Sequence, residues 1–315
     1  MAKTVLLFLL GLVLIVKGGD WFLDSVVWIA EITGVPRFVI GATVVSLATT
    51  LPELTVSAIG VLGGAVDLAV GNAVGSVTAN LGLILGISAL FLPAQVNRAQ
   101  FNSRAILMAL GAVLLLLLCR GGSLPVLPSL LLFLVFAVYL WSSLREAASG
   151  MTEHRQRFGR RRIPGRRLVW KLALFAAGIA GIVLGSQLLI RHGSQLALLL
   201  GVPASVIGVT MVAVGTSLPE LVTTLTAIAK REASLSVGNI IGANVIDLTL
   251  ILPVCSMLSG GRLEISRQTT VLDLPVCLLL SLTAILPPLF KGRFCRWQGA
   301  LLLVLYAGYM VLLVV

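Results

Sequence analysis

The sequence predicts an all-α integral membrane protein with ten transmembrane helices, arranged as two inverted five-helix repeats in which helices 2 and 7 are broken. Three observations point there. Hydrophobic residues make up 58% of the 315-residue chain and charged residues 11%, with a mean hydropathy of +1.08. Apolar runs recur along the whole length, and roughly 20 apolar residues at about 1.5 Å rise cross a ~30 Å hydrocarbon core. Residues 34–80 and 201–247 align without a gap at an offset of 167, with 18 of 47 positions identical.

The predicted spans are 4–26, 37–61, 69–91, 103–119, 125–144, 168–191, 204–228, 236–258, 270–290 and 297–315. At membrane depth only a helix satisfies its own backbone polar groups. The first apolar stretch is read as span one and not as a cleaved leader. No small-residue cleavage pattern follows it, and Lys17, Asp20 and Asp24 extend it. Those three charges are expected to pair along the helix or to anchor its end at the interface. Spans one to five form a first half (1–145) and spans six to ten a second half (168–315), joined by a basic linker at 146–167. The segment from Arg145 to Lys171 carries nine of the 23 basic residues, including Arg155, Arg157, Arg160, Arg161, Arg162, Arg166 and Arg167.

The net charge of +11 therefore reads as a topology signal and not as a nucleic-acid footprint. The positive-inside rule puts the linker in the cytoplasm and both termini outside, in a multi-pass protein of the cell (inner or plasma) membrane. The other inside loops then hold Arg37, Arg98, Arg104, Lys230, Arg231, Lys291, Arg293 and Arg296, giving 17 basic residues inside against five outside. Five spans, an odd number, separate the two repeat copies, so the second enters the membrane in the opposite direction. Inverted repeats with interrupted helices that meet at the midplane are a mark of secondary transporters.

Each copy places a carboxylate directly after a proline inside an apolar run, as Pro52-Glu53 and Pro219-Glu220. Proline removes a backbone N–H and clashes with the preceding turn. Carbonyls near Ala48–Thr49 and Gly215–Thr216 then lose helical partners, which is tolerated only in a protein interior or beside a cavity. An intramembrane charge costs several kcal/mol and needs a partner. Neither copy offers a lysine or arginine at its polar core, so Glu53 and Glu220 require a bound cation or a proton. The hydroxyls of Thr49, Thr50, Thr216 and Ser217 lie beside them. Ser76 and Asn80 share one helix face, and their counterparts are Ala243 and Asp247. Two carboxylates, carbonyls and hydroxyls suit Ca²⁺, and Na⁺ is likewise a hard, oxygen-seeking ion. Soft metals are disfavoured. The chain has two histidines, and its four cysteines (Cys119, Cys255, Cys277, Cys295) lack metal-like spacing and read as small buried hydrophobes. No GxGD or HExxH motif supports an intramembrane enzyme. Asn72 and Asn239 fit helix capping as well as ligation. Gly71, Gly75, Gly238 and Gly242 have small-xxx-small spacing for close helix packing.

GATVVSLATTLPEL with GNAVGSVTAN, and GVTMVAVGTSLPEL with GNIIGANVID, resemble the two α-repeats of the sodium/calcium exchanger family in the cation/Ca²⁺ antiporter superfamily. The resemblance implies antiport of Ca²⁺ against Na⁺ by alternating access. The protein is expected not to be an enzyme, to need no cofactor and to work as a monomer in the lipid bilayer. It implies that Glu53 and Glu220 bind Ca²⁺ with the backbone carbonyls of Thr49 and Thr216. It groups Ser46, Thr50 and Ser76 at one flanking Na⁺ site, and the Ala213 carbonyl, Ser217 and the position of Ala243 at the other. Asn80 and Asp247 match the polar pair beside the central site. It further implies that spans one and six slide across the other eight. The chain departs from the family pattern at Ala243, where serine is favoured. That departure leaves H⁺ or K⁺ coupling open as an alternative to Na⁺.

Overall fold

The computed structural model describes residues 2–158, 165–200 and 217–314. Ten helices follow in chain order among them: α1 (Ala2–Thr33), α2 (Arg37–Leu62), α3 (Val66–Phe91), α4 (Arg98–Leu118), α5 (Val126–Phe158), α6 (Gly165–Leu199), α7 (Leu218–Ala229), α8 (Ala233–Leu258), α9 (Thr269–Lys291) and α10 (Arg296–Val314). Nine are long and apolar enough to cross a membrane. The shorter α7 is the described end of the predicted seventh span, whose remainder, with Thr216 and Ala213, lies outside the described residues. Every other predicted span coincides with one helix.

The linker differs from expectation. Helix α5 does not stop at Leu144 but continues through Arg145, Glu146 and Glu153 to Phe158, and α6 begins at Gly165. The segment is rich in Arg, Glu, Ala and Gln, which propagate a helix after it has left an apolar layer. Arg104 also moves from its predicted loop. It is fully buried in α4, with Nη1 2.7 Å from Glu146 on the extended α5, and it lies over the Phe38 ring at 5.5 Å. A guanidinium tolerates this depth because it can pair and stack at once.

Contacts between connections respect the predicted grouping of loops. Near one end, Arg98 donates to the Phe290 carbonyl at 2.6 Å, Gln95 bridges to Arg293, and Arg37 pairs with Glu232 at 3.1 Å. At the other, β1 (Ser123–Pro125) pairs antiparallel with β2 (Arg262–Glu264), Leu124 opposite Leu263.

Two of the three apolar clusters among the described residues organise the bundle. The larger joins α2, α3, α4, α8 and α9 through Phe38, Val74, Phe101, Met108, Ile240, Leu248 and Leu280. The smaller lies along the α1–α6 pair and gathers Ile15, Phe22, Leu23 and Ile182 with Val222 of α7. Helices α1 and α6 run antiparallel in close backbone contact. A Cβ on Gly178 would sit 2.6 Å from the Phe22 nitrogen, and one on Gly18 2.8 Å from the Ile182 nitrogen. Lipid gives such a pair no hydrophobic drive, so close packing of small residues must hold it. Gly178→Ala is therefore expected to destabilise the protein by about 1–3 kcal/mol, the usual cost of overpacking. A thermal midpoint in detergent equal to that of the parent would contradict this account of the seam.

The acids of span one pair across the fold and not along their own helix. Lys230, at the end of α7, meets Asp24 at 2.7 Å and Asp20 at 3.2 Å. All four cysteines are free, three of them buried.

Candidate cation site

The two proline-glutamate segments meet in the interior. Helix α2 carries a π-turn at Gly41–Val45, then continues through Pro52. Its interruption thus begins more than a turn ahead of the proline. The Tyr139 hydroxyl, from α5, donates to the Ala42 carbonyl in that turn, which gives the locally widened ladder an outside partner. In the second copy α7 starts at Leu218 with Pro219 in its first turn, where proline has no helical bond to lose.

Packing against α8 fixes the height of α2. A Cβ on Gly238 would lie 2.2 Å from the Phe38 carbonyl oxygen, and one on Gly242 2.6 Å from Ser46 Oγ. The expected packing role of this glycine pair is seen directly. For Gly71 and Gly75 the corresponding segment, 205–212, lies outside the described residues.

Glu53 and Glu220 are buried, as are Thr49, Thr50, Ser46, Ser76, Asn80, Ser217 and Asp247. Glu53 and Glu220 interact electrostatically, and Asp247 lies within electrostatic range of both. The described ion pairs lie elsewhere, so no basic side chain among the described residues neutralises the three acids. Glu53 Oε1 accepts from Ser76 Oγ at 3.4 Å, and Ser76 Oγ is 2.8 Å from Ser217 Oγ. Glu53 Oε2, both oxygens of Glu220, both of Asp247, Asn80 Oδ1 and Thr50 Oγ1 are buried with no hydrogen-bond partner. Orphaned buried oxygens are costly and rare in folded proteins. Asn244 Nδ2 is likewise buried with no partner; the orphaned acceptors and hydroxyls fit a hard cation or protons. Among the described residues no group of three or more His, Cys, Asp or Glu side chains is arranged to hold a metal, so the candidate cage is one of mixed oxygens and not a carboxylate cluster.

The flanking hydroxyls make contacts across the two halves. Ser76 faces Ser217 and Glu53. Ser46 turns toward Gly242 and donates to the Thr43 carbonyl at 3.1 Å. The reason is geometric: the inverted relation brings the helix after one glutamate against the hydroxyl before the other. Asn72 and Asn239 are not caps. They sit in mid-helix and brace the glutamate backbones. Asn72 Nδ2 donates to the Glu53 carbonyl at 3.2 Å and to Ser57 Oγ at 2.9 Å. Asn239 Nδ2 donates to Thr223 Oγ1 at 3.1 Å, which donates to the Glu220 carbonyl at 2.9 Å. Thr49 Oγ1 donates to Asn239 Oδ1 at 3.4 Å. Ser57 and Thr223 escape a sequence reading because hydroxyls on apolar helices are common. Asn244, whose Oδ1 accepts from Asn80 Nδ2 at 3.1 Å, escapes it because its repeat counterpart is Val77.

Fold and site together define a multi-pass membrane protein with an unneutralised carboxylate centre between two inversely related helix pairs. Comparison with known proteins gives its family. The sodium/calcium exchanger protein model matches residues 3–145 and 170–315. Sodium/calcium exchanger MaX1 of Methanosarcina acetivorans is 32% identical over 347 residues, covering 98% of this chain and 97% of that one. The uncharacterized membrane protein MJ0091 of Methanocaldococcus jannaschii is 32% identical over 299 residues, covering 95% and 94%. A solved structure of the sodium-calcium exchanger NCX_Mj, soaked with Na⁺ and Sr²⁺, superposes with a TM-score of 0.84 at 31% identity over 98% of both chains. The chain belongs to the sodium/calcium exchanger family.

Proposed function

We propose that the protein exchanges Ca²⁺ for Na⁺ across a cell membrane by alternating access to one midplane site. The carrying observation is the set of buried, partnerless oxygens on Glu53, Glu220, Asp247, Asn80 and Thr50 with no basic residue to neutralise them. Glu53 and Glu220 are the shared ligands, with Thr49 and Thr216 supplying carbonyls for Ca²⁺. Na⁺ occupies flanking positions beside the same carboxylates. Ser76 and Ser217 serve one of them, and Thr50 serves the other. Ser46 and the Ala213 carbonyl complete the proposed set, and Asn80 and Asp247 line the centre. Because both ions need the same two carboxylates, they exclude each other, and that exclusion couples their fluxes.

Residues 1–145 and 168–315 form the two halves, joined at 146–167 on the cytoplasmic side, with both termini outside. This orientation rests on the charge asymmetry of the loops. Helices α1 and α6 move as one element, supported by their shared glycine seam and the separate small core beneath them.

The coupling ion is tested with purified protein in liposomes. Radioactive Ca²⁺ uptake is followed while outward Na⁺, K⁺ and H⁺ gradients are imposed one at a time. Uptake driven by the Na⁺ gradient alone is expected. Uptake that ignores Na⁺ and follows pH or K⁺ would replace this reading with a Ca²⁺/H⁺ or K⁺-assisted exchanger.

Sliding of α1 must break the contacts of Lys230 with Asp20 and Asp24. Exposed ion pairs contribute about 0.2–1 kcal/mol each. With two such pairs lost, Lys230→Gln is expected to shift the ratio of access states by roughly two- to thirtyfold, read by single-molecule fluorescence between labels on α1 and α7. An unchanged distribution would remove the pair from the gating account.

A further inference from the structure

We infer that Asn244, outside the proposed ligand set, is a positioning residue that fixes which end of the Asn80 side chain the cation meets. This rests on the reading of Asn80 as a cation ligand. Asn80 and Asp247 are repeat counterparts, and each begins a π-turn, Asn80–Leu85 and Asp247–Ile251. They differ in one chemical respect. A carboxylate offers an oxygen whichever way it turns. An amide has an oxygen end and an NH₂ end, and a cation is repelled by the second.

An asparagine in this position therefore needs a device that its aspartate counterpart does not, and the two halves differ accordingly. Asn80 Nδ2 is committed to Asn244 Oδ1 at 3.1 Å, and its Oδ1 is left buried and without a partner. Asn80 lies one turn beyond Ser76 on the same face, and Ser76 touches Glu53 Oε1. The freed oxygen is thus on the helix face that supplies the Glu53 side of the cage. The residue corresponding to Asn244 in the first copy is Val77, fully buried and apolar, so nothing of this kind orients Asp247, whose two oxygens are both open. Asn244 is itself fully buried and lies three residues before Asp247, where it spans the seam between α3 and α8. If its acceptor is removed, Asn80 is free to turn its NH₂ group inward and oppose the ion.

The test uses the full chain reconstituted in liposomes and compares Asn244→Val, the residue found at the counterpart position, with Asn244→Asp, which keeps the acceptor and cannot donate. Each is measured alone and together with Asn80→Ala. Asn244→Val is expected to raise the half-saturating Ca²⁺ concentration about tenfold, the lower end of what outer-shell changes do at metal sites, while the maximal rate is retained. Asn244→Asp should saturate at or below the parent Ca²⁺ concentration, because it keeps the acceptor and adds a negative charge beside the site. Asn244→Val should add nothing on top of Asn80→Ala, because a residue that acts only through another shows no independent effect. The inference is overturned if Asn244→Val leaves half-saturation unchanged, if Asn244→Asp is as impaired as Asn244→Val, or if the effects of Asn244→Val and Asn80→Ala add. If Asn80→Ala alone leaves Ca²⁺ half-saturation unchanged, the ligand reading of Asn80 falls, and this inference with it.

Discussion

Glu53→Gln and Glu220→Gln are each expected to reduce Ca²⁺ transport to background while the protein still folds. Glutamine keeps the shape and one oxygen of each side chain but removes a negative charge from a site that has no basic partner. Charge count and ligand number set Ca²⁺ affinity across several orders of magnitude. Losing one of two central carboxylates should therefore weaken binding by at least about a hundredfold, or roughly 2.8 kcal/mol. Folding should survive, because burying an unpaired carboxylate is itself costly. The backbones at both positions are braced by Asn72 and by Asn239 through Thr223, not by the carboxylates. Thermal midpoints at or above that of the parent, together with absent uptake, are the expected pair of results. Normal uptake in either variant would remove that glutamate from the site.

Ala243→Ser is expected to strengthen and steepen the Na⁺ dependence. The structure contains both halves of the comparison. On one side Ser76 Oγ stands 2.8 Å from Ser217 Oγ, beside Glu53. The repeat offset equates Ser217 with Thr50 and Ser76 with Ala243, and on that side Thr50 Oγ1 is buried with no partner. By the repeat relation, Ala243 stands where the other half places the Ser76 hydroxyl. An oxygen facing a charged group contributes about 1.5–3 kcal/mol, so restoring it should raise apparent Na⁺ affinity about tenfold or more. The mirror substitution, Ser76→Ala, should lower it. An unchanged Na⁺ concentration dependence of Ca²⁺ efflux in Ala243→Ser would show that position 243 does not shape a counter-ion pocket.

Most of the fold was legible because lipid leaves few options. Span length follows from bilayer thickness, and a backbone in hydrocarbon must be helical. The repeated Pro-Glu segments and their polar followers located the centre for the same reason, since the cost of an unneutralised acid inside a membrane is met only where the acid has work to do. What escaped the sequence depends on partners distant in the chain. Arg104 reads as a loop cation until Glu146 and Phe38 are placed beside it. Asp273 has no reading in the sequence until Tyr309, on α10, donates to it at 3.0 Å. Asp20 and Asp24 look like a local charge pattern until Lys230 arrives from the other half. The grouping of Ser76 with Ser217 follows from the inverted contact between halves, which spacing along one copy cannot reveal. The helical continuation of α5 past Leu144 was hidden because a basic stretch sets topology equally well as coil or helix.

Mutual exclusion of Ca²⁺ and Na⁺ at Glu53 and Glu220 is the central claim, and equilibrium binding tests it most directly. Radioactive Ca²⁺ bound to purified protein is measured across a Na⁺ titration at constant ionic strength. The expected result is full displacement, with Na⁺ raising the apparent dissociation constant for Ca²⁺ without reducing the number of sites reached at saturation. Ca²⁺ that stays bound at saturating Na⁺, with both ions held together, would contradict it.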